Sequence, residues 1–87
     1  YVASKFAVSG FTQGWAKDLG SKGILVNVVL PGPIDTEMNP ANSAYSDFQK
    51  AQTALGRYGN AEEIAGAVAF LAGPDATYIT GALLAVD

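Results

Sequence analysis

Residues 24–30, Ile-Leu-Val-Asn-Val-Val-Leu, constrain this chain more than any other stretch, and Pro31-Gly32 stops them. All but Asn27 are apolar and most are β-branched, so there is no alternation between a wet and a dry face. Such a run reads as a strand covered on both sides, as in a parallel sheet. A parallel neighbour needs a crossover connection, which is right-handed in nearly all sheets of this kind. Residues 82–86, Ala-Leu-Leu-Ala-Val, offer the second strand, and helical patterns fill the space between. Asn27 breaks the apolar run and must find hydrogen bonds inside, so its expected role is to hold neighbouring backbone.

The helices follow from periodicity. A long helical pattern runs from Tyr1 to about Leu19 with two stripes. Val8, Phe11, Trp15 and Leu19 recur at spacings of three and four and predict a face packed on a core. Ala3, Ala7, Gly10 and Gly14 form a stripe of small residues, open to two readings: tight packing on the chain's own sheet, or close approach of a second subunit. Gly20 is the expected left-handed C-cap, with Lys17 and Lys22 at the negative helix end. The last helix begins at Asn60 with Glu63 three residues on, a capping box, and ends at Gly73-Pro74. Ile64, Ala65, Val68, Ala69, Leu71 and Ala72 predict its buried face. From 37 to 55 the pattern weakens: Asn39-Pro40-Ala41-Asn42-Ser43 reads as loop and residues 45–55 as a short helix. Met38, Tyr45 and Phe48 are the apolar groups of that segment. Arg57 is the lone arginine and reads as a structural bridge or cap partner.

Composition narrows the chemistry. The 87 residues are 49% hydrophobic and 15% charged, with a formal net charge of −3 and no Lys/Arg cluster, which argues against nucleic acid as a partner. There is no Cys and no His, so thiol nucleophiles, disulfides and the commonest metal ligands are absent and no metal is implied. No apolar run reaches membrane-spanning length and no signal-peptide pattern opens the chain, so a cytoplasmic protein away from membranes is expected. So small a segment buries a modest core. The start on Tyr1 and the end at Val86-Asp87 suggest one segment of a larger domain.

Chemistry enters at the first turns of the first helix, Tyr1-Val2-Ala3-Ser4-Lys5. Residues four apart on a helix share a face, which pairs the Tyr1 phenol with the Lys5 ammonium. A phenol titrates near 10 or so, too high for acid/base work at neutrality, and a nearby cation stabilises the phenolate. By itself Tyr-x-x-x-Lys is a weak signal. It gains weight from Val26-Asn27-Val28-Val29-Leu30-Pro31-Gly32-Pro33-Ile34-Asp35-Thr36, Gly56-Arg57-Tyr58-Gly59 with Glu62-Glu63-Ile64-Ala65, and Tyr78-Ile79-Thr80-Gly81. In that order and at those spacings the chain resembles the short-chain dehydrogenase/reductase family along essentially its whole length.

The resemblance implies an α/β fold, the C-terminal part of a Rossmann-type doubly wound parallel sheet, in the order helix, strand, loop and short helix, helix, strand. Residues 1–87 would be the C-terminal segment of one domain, with the N-terminal cofactor-binding part not in this sequence. It implies an NAD(P)-dependent oxidoreductase moving hydride between nicotinamide and a carbonyl/alcohol substrate. Tyr1 and Lys5 would be catalytic and would also touch cofactor, with Pro31, Gly32, Ile34 and Thr36 around the nicotinamide. NADP is preferred over NAD by analogy alone. Met38, Tyr45 and Phe48 would lid the substrate. The resemblance also favours the subunit reading of the small-residue stripe, hence a homo-oligomer, dimer or tetramer. A 3-oxoacyl thioester is one substrate, with Lys22 toward an acidic carrier protein. The alternative is a binding module of the same fold that takes cyclic di-GMP in biofilm dispersal.

Overall fold

The computed structural model describes residues 2–87. Helix α1 spans Val2–Leu19 and tightens into a 3-10 turn at Gly20–Lys22. Strand β1 is Val28–Pro31, helix α2 is Ser46–Ala51, helix α3 is Ala61–Ala72, a 3-10 turn covers Pro74–Ala76, and strand β2 is Leu83–Val86. The two strands pair in parallel, Val28 opposite Leu83 through Pro31 opposite Val86. The α/β order and the parallel pairing therefore match the expectation from the apolar run.

The strand starts later than the apolar run predicts, and Asn27 is the reason. Its Nδ2 donates to the Ile79 carbonyl at 3.0 Å and its Oδ1 accepts from the Ala82 N–H at 3.0 Å. The side chain thus replaces a rung of the ladder and spans the turn that brings β2 into register. Gly81 makes that turn with φ 71°, and its N–H donates to the Val26 carbonyl at 2.7 Å. Thr80 Oγ1 accepts from the Val26 N–H at 3.0 Å. Val26 and Asn27 are consequently tied to the 79–82 turn, and ladder pairing begins only at Val28. The role expected of Asn27 is the one it has.

Helix α1 ends at Leu19 as expected, but its left-handed cap comes three residues later than Gly20. Gly23, not Gly20, takes the left-handed conformation at φ 76°, and its N–H donates to the Gly20 carbonyl at 3.0 Å. The intervening 3-10 turn uses Gly20 in ordinary right-handed backbone.

The predicted apolar faces of α1 and α3 are not covered by this chain. Val8, Phe11 and Trp15 are 48%, 57% and 53% exposed, and among the described residues of α1 the buried ones are Thr12 and Ala16. Phe11 and Trp15 stack on each other with centroids 5.3 Å apart. No residue of α3 is buried; Ile64 and Leu71 are half-buried, and Ala65, Val68, Ala69 and Ala72 are exposed. The physical reason is width. Two four-residue strands present too little sheet to cover helices of 18 and 12 residues. Among the described residues the buried apolar groups are Ala16, Tyr58 and Ala76.

The start of α3 is locked as predicted. Asn60 Oδ1 accepts from the Glu63 N–H at 2.9 Å and Glu63 Oε1 accepts from the Asn60 N–H at 3.1 Å. Arg57 adds a two-pronged bridge to the Glu63 carboxylate at 2.9 and 2.8 Å and donates to the Tyr58 carbonyl at 2.9 Å. The Arg57 hydrogen bonds, then the Asn60 backbone N–H, pull the Glu63 carboxyl from its ordinary 4.5 down to about 2.

Two outcomes follow. Asn27→Ala in the full-length protein leaves the Ile79 carbonyl and the Ala82 N–H without their partner and is expected to cost about 1–3 kcal/mol, read by urea denaturation. Because the folded Glu63 pKa is depressed, its contribution to stability is complete above the unfolded value. It should fade as pH falls from about 4.5 through about 2. A carbon-13 NMR titration of the Glu63 carboxyl checks this, and Arg57→Met should return its midpoint toward the ordinary carboxylate range.

Candidate active site

Parallel pairing brings the carboxyl ends of both strands to one edge, where open α/β sheets hold their ligands. A cleft of about 370 Å³ opens there, walled by Lys5, Phe6 and Ser9 of α1, Leu30 and Pro31 of β1, and Ala85 and Asp87 at the end of β2. A second cleft, about 530 Å³, lies on the other side of Pro31 and is lined by Pro31, Gly32, Pro33, Ile34, Thr36, Asn39, Gln49 and Gln52. Pro31 borders both. The structure therefore gathers Lys5 at one cleft and Pro31, Gly32, Ile34 and Thr36 at its neighbour. Tyr1 lies outside the described residues.

The loop after β1 is held by backbone rather than by packing. Gly32 donates to the Val86 carbonyl at 3.0 Å, extending the β1–β2 ladder by one step. A Cβ on Gly32 would stand 2.7 Å from Asp87 Cβ and 3.2 Å from Asp87 Cα, so the loop can cross the end of β2 only as glycine. Ile34 forms an isolated parallel bridge with Gly59, in which Gly59 N–H donates to the Pro33 carbonyl at 3.0 Å and Asp35 N–H to the Gly59 carbonyl at 2.9 Å. Asp35 Oδ1 accepts from the Ala41 N–H at 2.8 Å. Thr36 Oγ1 accepts from the Asn39 N–H at 3.2 Å, which leaves the hydroxyl proton for donation into the cleft.

Met38, Tyr45 and Phe48 are 97%, 73% and 66% exposed. From the same segment, Asn39, Gln49 and Gln52 line the larger cleft. These amides were not singled out from the sequence. Gln49 and Gln52 lie three apart, one face of a helical turn, and that spacing was the available signal. Tyr58 was likewise passed over within its motif. It is 6% exposed, and its hydroxyl donates to Gln49 Oε1. Among the described residues no group of three or more acidic, His or Cys side chains converges on a metal position. No helix among them is long and apolar enough to cross a membrane.

Known proteins share this fold. A family model described as enoyl-(acyl carrier protein) reductase matches residues 1–87. The chain is 51% identical over 87 residues to the cyclic-di-GMP-binding biofilm dispersal mediator protein of Escherichia coli (strain K12), covering 100% of this chain and 37% of that protein. It is 48% identical over 88 residues to the 3-oxoacyl-(acyl-carrier-protein) reductase FabG of Vibrio cholerae, covering 100% of this chain and 36% of that one. Among solved structures, a blue fluorescent protein from a metagenomic library, in complex with NADPH, superposes with a TM-score of 0.94 at 59% identity, over 100% of this chain and 35% of its own. The chain thus spans little more than a third of the length of the proteins it matches.

Gly32→Ala is expected to be the costliest single methyl in the site. Its Cβ meets Asp87 backbone as well as side chain, so the loop or the end of β2 must move. Overpacking of this kind costs about 1–3 kcal/mol. Chemical denaturation of the full-length variant beside the parent reads the loss.

Proposed function

The chain belongs to the short-chain dehydrogenase/reductase family and forms part of a Rossmann-type α/β fold; from that premise we propose that the whole protein is an NADP-dependent oxidoreductase interconverting a carbonyl and an alcohol. The observation that carries this reading is the paired clefts at the strand ends, with Lys5 on one side of Pro31 and Ile34 and Thr36 on the other. The donor set fits a nicotinamide: a threonine hydroxyl with its proton available, backbone groups of a loop fixed by the Gly59 bridge, and an ammonium one cleft away. The NADPH complex of the 59% identical structure supports the same cofactor here.

When bound, the nicotinamide supplies or accepts the hydride. Residues of this chain would handle the proton and the geometry. Tyr1 gives its phenolic proton to the carbonyl oxygen as that oxygen gains negative charge, and takes it back in the oxidative direction. Lys5, four residues on in sequence, would hold positive charge near the phenol and favour the phenolate. Lys5 would also hold the ribose, and Thr36 and the Ile34 backbone would hold the carboxamide. Met38, Tyr45 and Phe48, exposed on a segment that borders the larger cleft, would close over substrate.

The favoured substrate is a 3-oxoacyl thioester, supported by the 48% identical reductase, with exposed Lys22 toward an acidic carrier. A second reading has its own support in the 51% identical relative: the same fold binding cyclic di-GMP in biofilm dispersal. We place the protein in the cytoplasm as a homo-oligomer, dimer or tetramer. Gly10 and Gly14 have nothing within 4 Å of an added Cβ, which leaves the small-residue stripe of α1 open to close approach by a second subunit.

The test uses the full-length protein. Tyr1→Phe should lower kcat by roughly 10²–10⁴-fold with NADPH affinity nearly unchanged, since it removes one hydroxyl and little volume. Lys5→Met should weaken both. Steady-state reduction of acetoacetyl thioesters, with NADPH binding measured separately by fluorescence, separates the two effects. Calorimetric titration with cyclic di-GMP decides the second reading. Undiminished turnover in Tyr1→Phe would sink the first.

A further inference from the structure

The segment bordering the larger cleft is fastened by hydrogen bonds, not by apolar burial. Its large apolar side chains, Met38, Tyr45 and Phe48, all face solvent, and the buried residue of α2 is Ser46. What holds α2 converges on Arg57 and Tyr58. At the helix's carboxyl end Thr53 Oγ1 donates to the Lys50 carbonyl at 2.9 Å and accepts from the Arg57 N–H at 3.1 Å. Midway along, Gln49 Oε1 accepts from the Tyr58 hydroxyl, which also lies 3.5 Å from Asn39 Oδ1. Arg57 is itself clamped to Glu63, so this fastening is anchored on the capped start of α3.

Gln49 and Asn39 line the cleft beside Ile34 and Thr36, whereas Tyr58 does not. Its ring is buried behind them and only its hydroxyl reaches the two amides. A phenol has one proton to donate. With Oε1 of Gln49 engaged by that proton, the same carboxamide keeps its N–H group for the cleft.

We propose that Tyr58 is a positioning residue: its hydroxyl fixes the Gln49 amide opposite the Pro31–Thr36 wall, setting the width of the cleft and presenting Gln49 as a donor to the bound molecule. This rests on the reading of that cleft as the cofactor and substrate site. Without the hydroxyl, Gln49 is free to turn, α2 loses its central tether, and ground-state binding weakens more than the chemical step.

The test is Tyr58→Phe in the full-length protein, which keeps the buried ring and removes one oxygen. The expected result is a KM for the carbonyl substrate raised about three- to tenfold, the range of one lost hydrogen bond, with kcat within about twofold. Gln49→Met alone should do the same, and adding it to Tyr58→Phe should change little more, because the two groups act as one unit. Limited proteolysis within residues 37–55 should quicken in Tyr58→Phe, a readout that needs no turnover. Unchanged KM and cleavage would overturn the proposal. So would equal losses in kcat, KM and melting temperature with additive double-variant effects, since that pattern marks a merely structural tyrosine. If the parent reduces no carbonyl compound with NADPH, the oxidoreductase reading fails. The proteolysis comparison of parent, Tyr58→Phe and the double variant then still decides the positioning role.

Discussion

Everything functional in this chain depends on one parallel pairing between segments more than fifty residues apart in sequence, β1 with β2. Parallel strands carry no turn of their own, so their register has to be set by something outside the ladder. Here the Asn27 carboxamide sets it by bonding to backbone on both sides of the Thr80-Gly81 turn. Once Val28 faces Leu83, both carboxyl ends arrive at one edge and Lys5 of α1 borders the cleft between them. An antiparallel arrangement of the same two strands would put those ends at opposite edges and leave no shared cleft.

Beyond the strands, order at the site is polar. Gly59 bridges the loop after β1, Asp35 and Thr36 side chains cap the turn that follows, and Arg57 joins the capping box of α3 to the end of α2. Such contacts are directional and individually modest, about 1 kcal/mol each. They hold a particular geometry with little apolar mass behind it. Hydrogen bonds of this kind can be exchanged for others at small net cost, so the cleft wall can adjust without repacking a core.

Residues and spacing foretold much of this. The doubly apolar run announced a parallel strand, Asn60 and Glu63 announced the capping box, Arg57 a bridge, and Asn27 an internal tether; each reflects a local rule with a local cause. The misjudged features are those where position in space decides. Gly23 rather than Gly20 turns left-handed because a 3-10 turn intervenes, and nothing in the residue types distinguishes the two glycines. The apolar stripes of α1 and α3 were legible as stripes, yet periodicity says only that a face seeks cover, not which chain or segment supplies it. The cleft amides carry only a weak sequence signal, for another reason. Gln49 is held by the Tyr58 hydroxyl, and no sequence pattern links a helix glutamine with a tyrosine ahead of the next helix.

The stacked pair on α1 has an optical consequence. Trp15 is the sole tryptophan of this chain, half exposed and lying against Phe11. An indole in that setting emits at the wavelengths of a wet surface, and covering it shifts the emission to the blue. Its colour therefore reports, without any label, whether that face of α1 is open to water or pressed against another surface, at whatever concentration the protein is held.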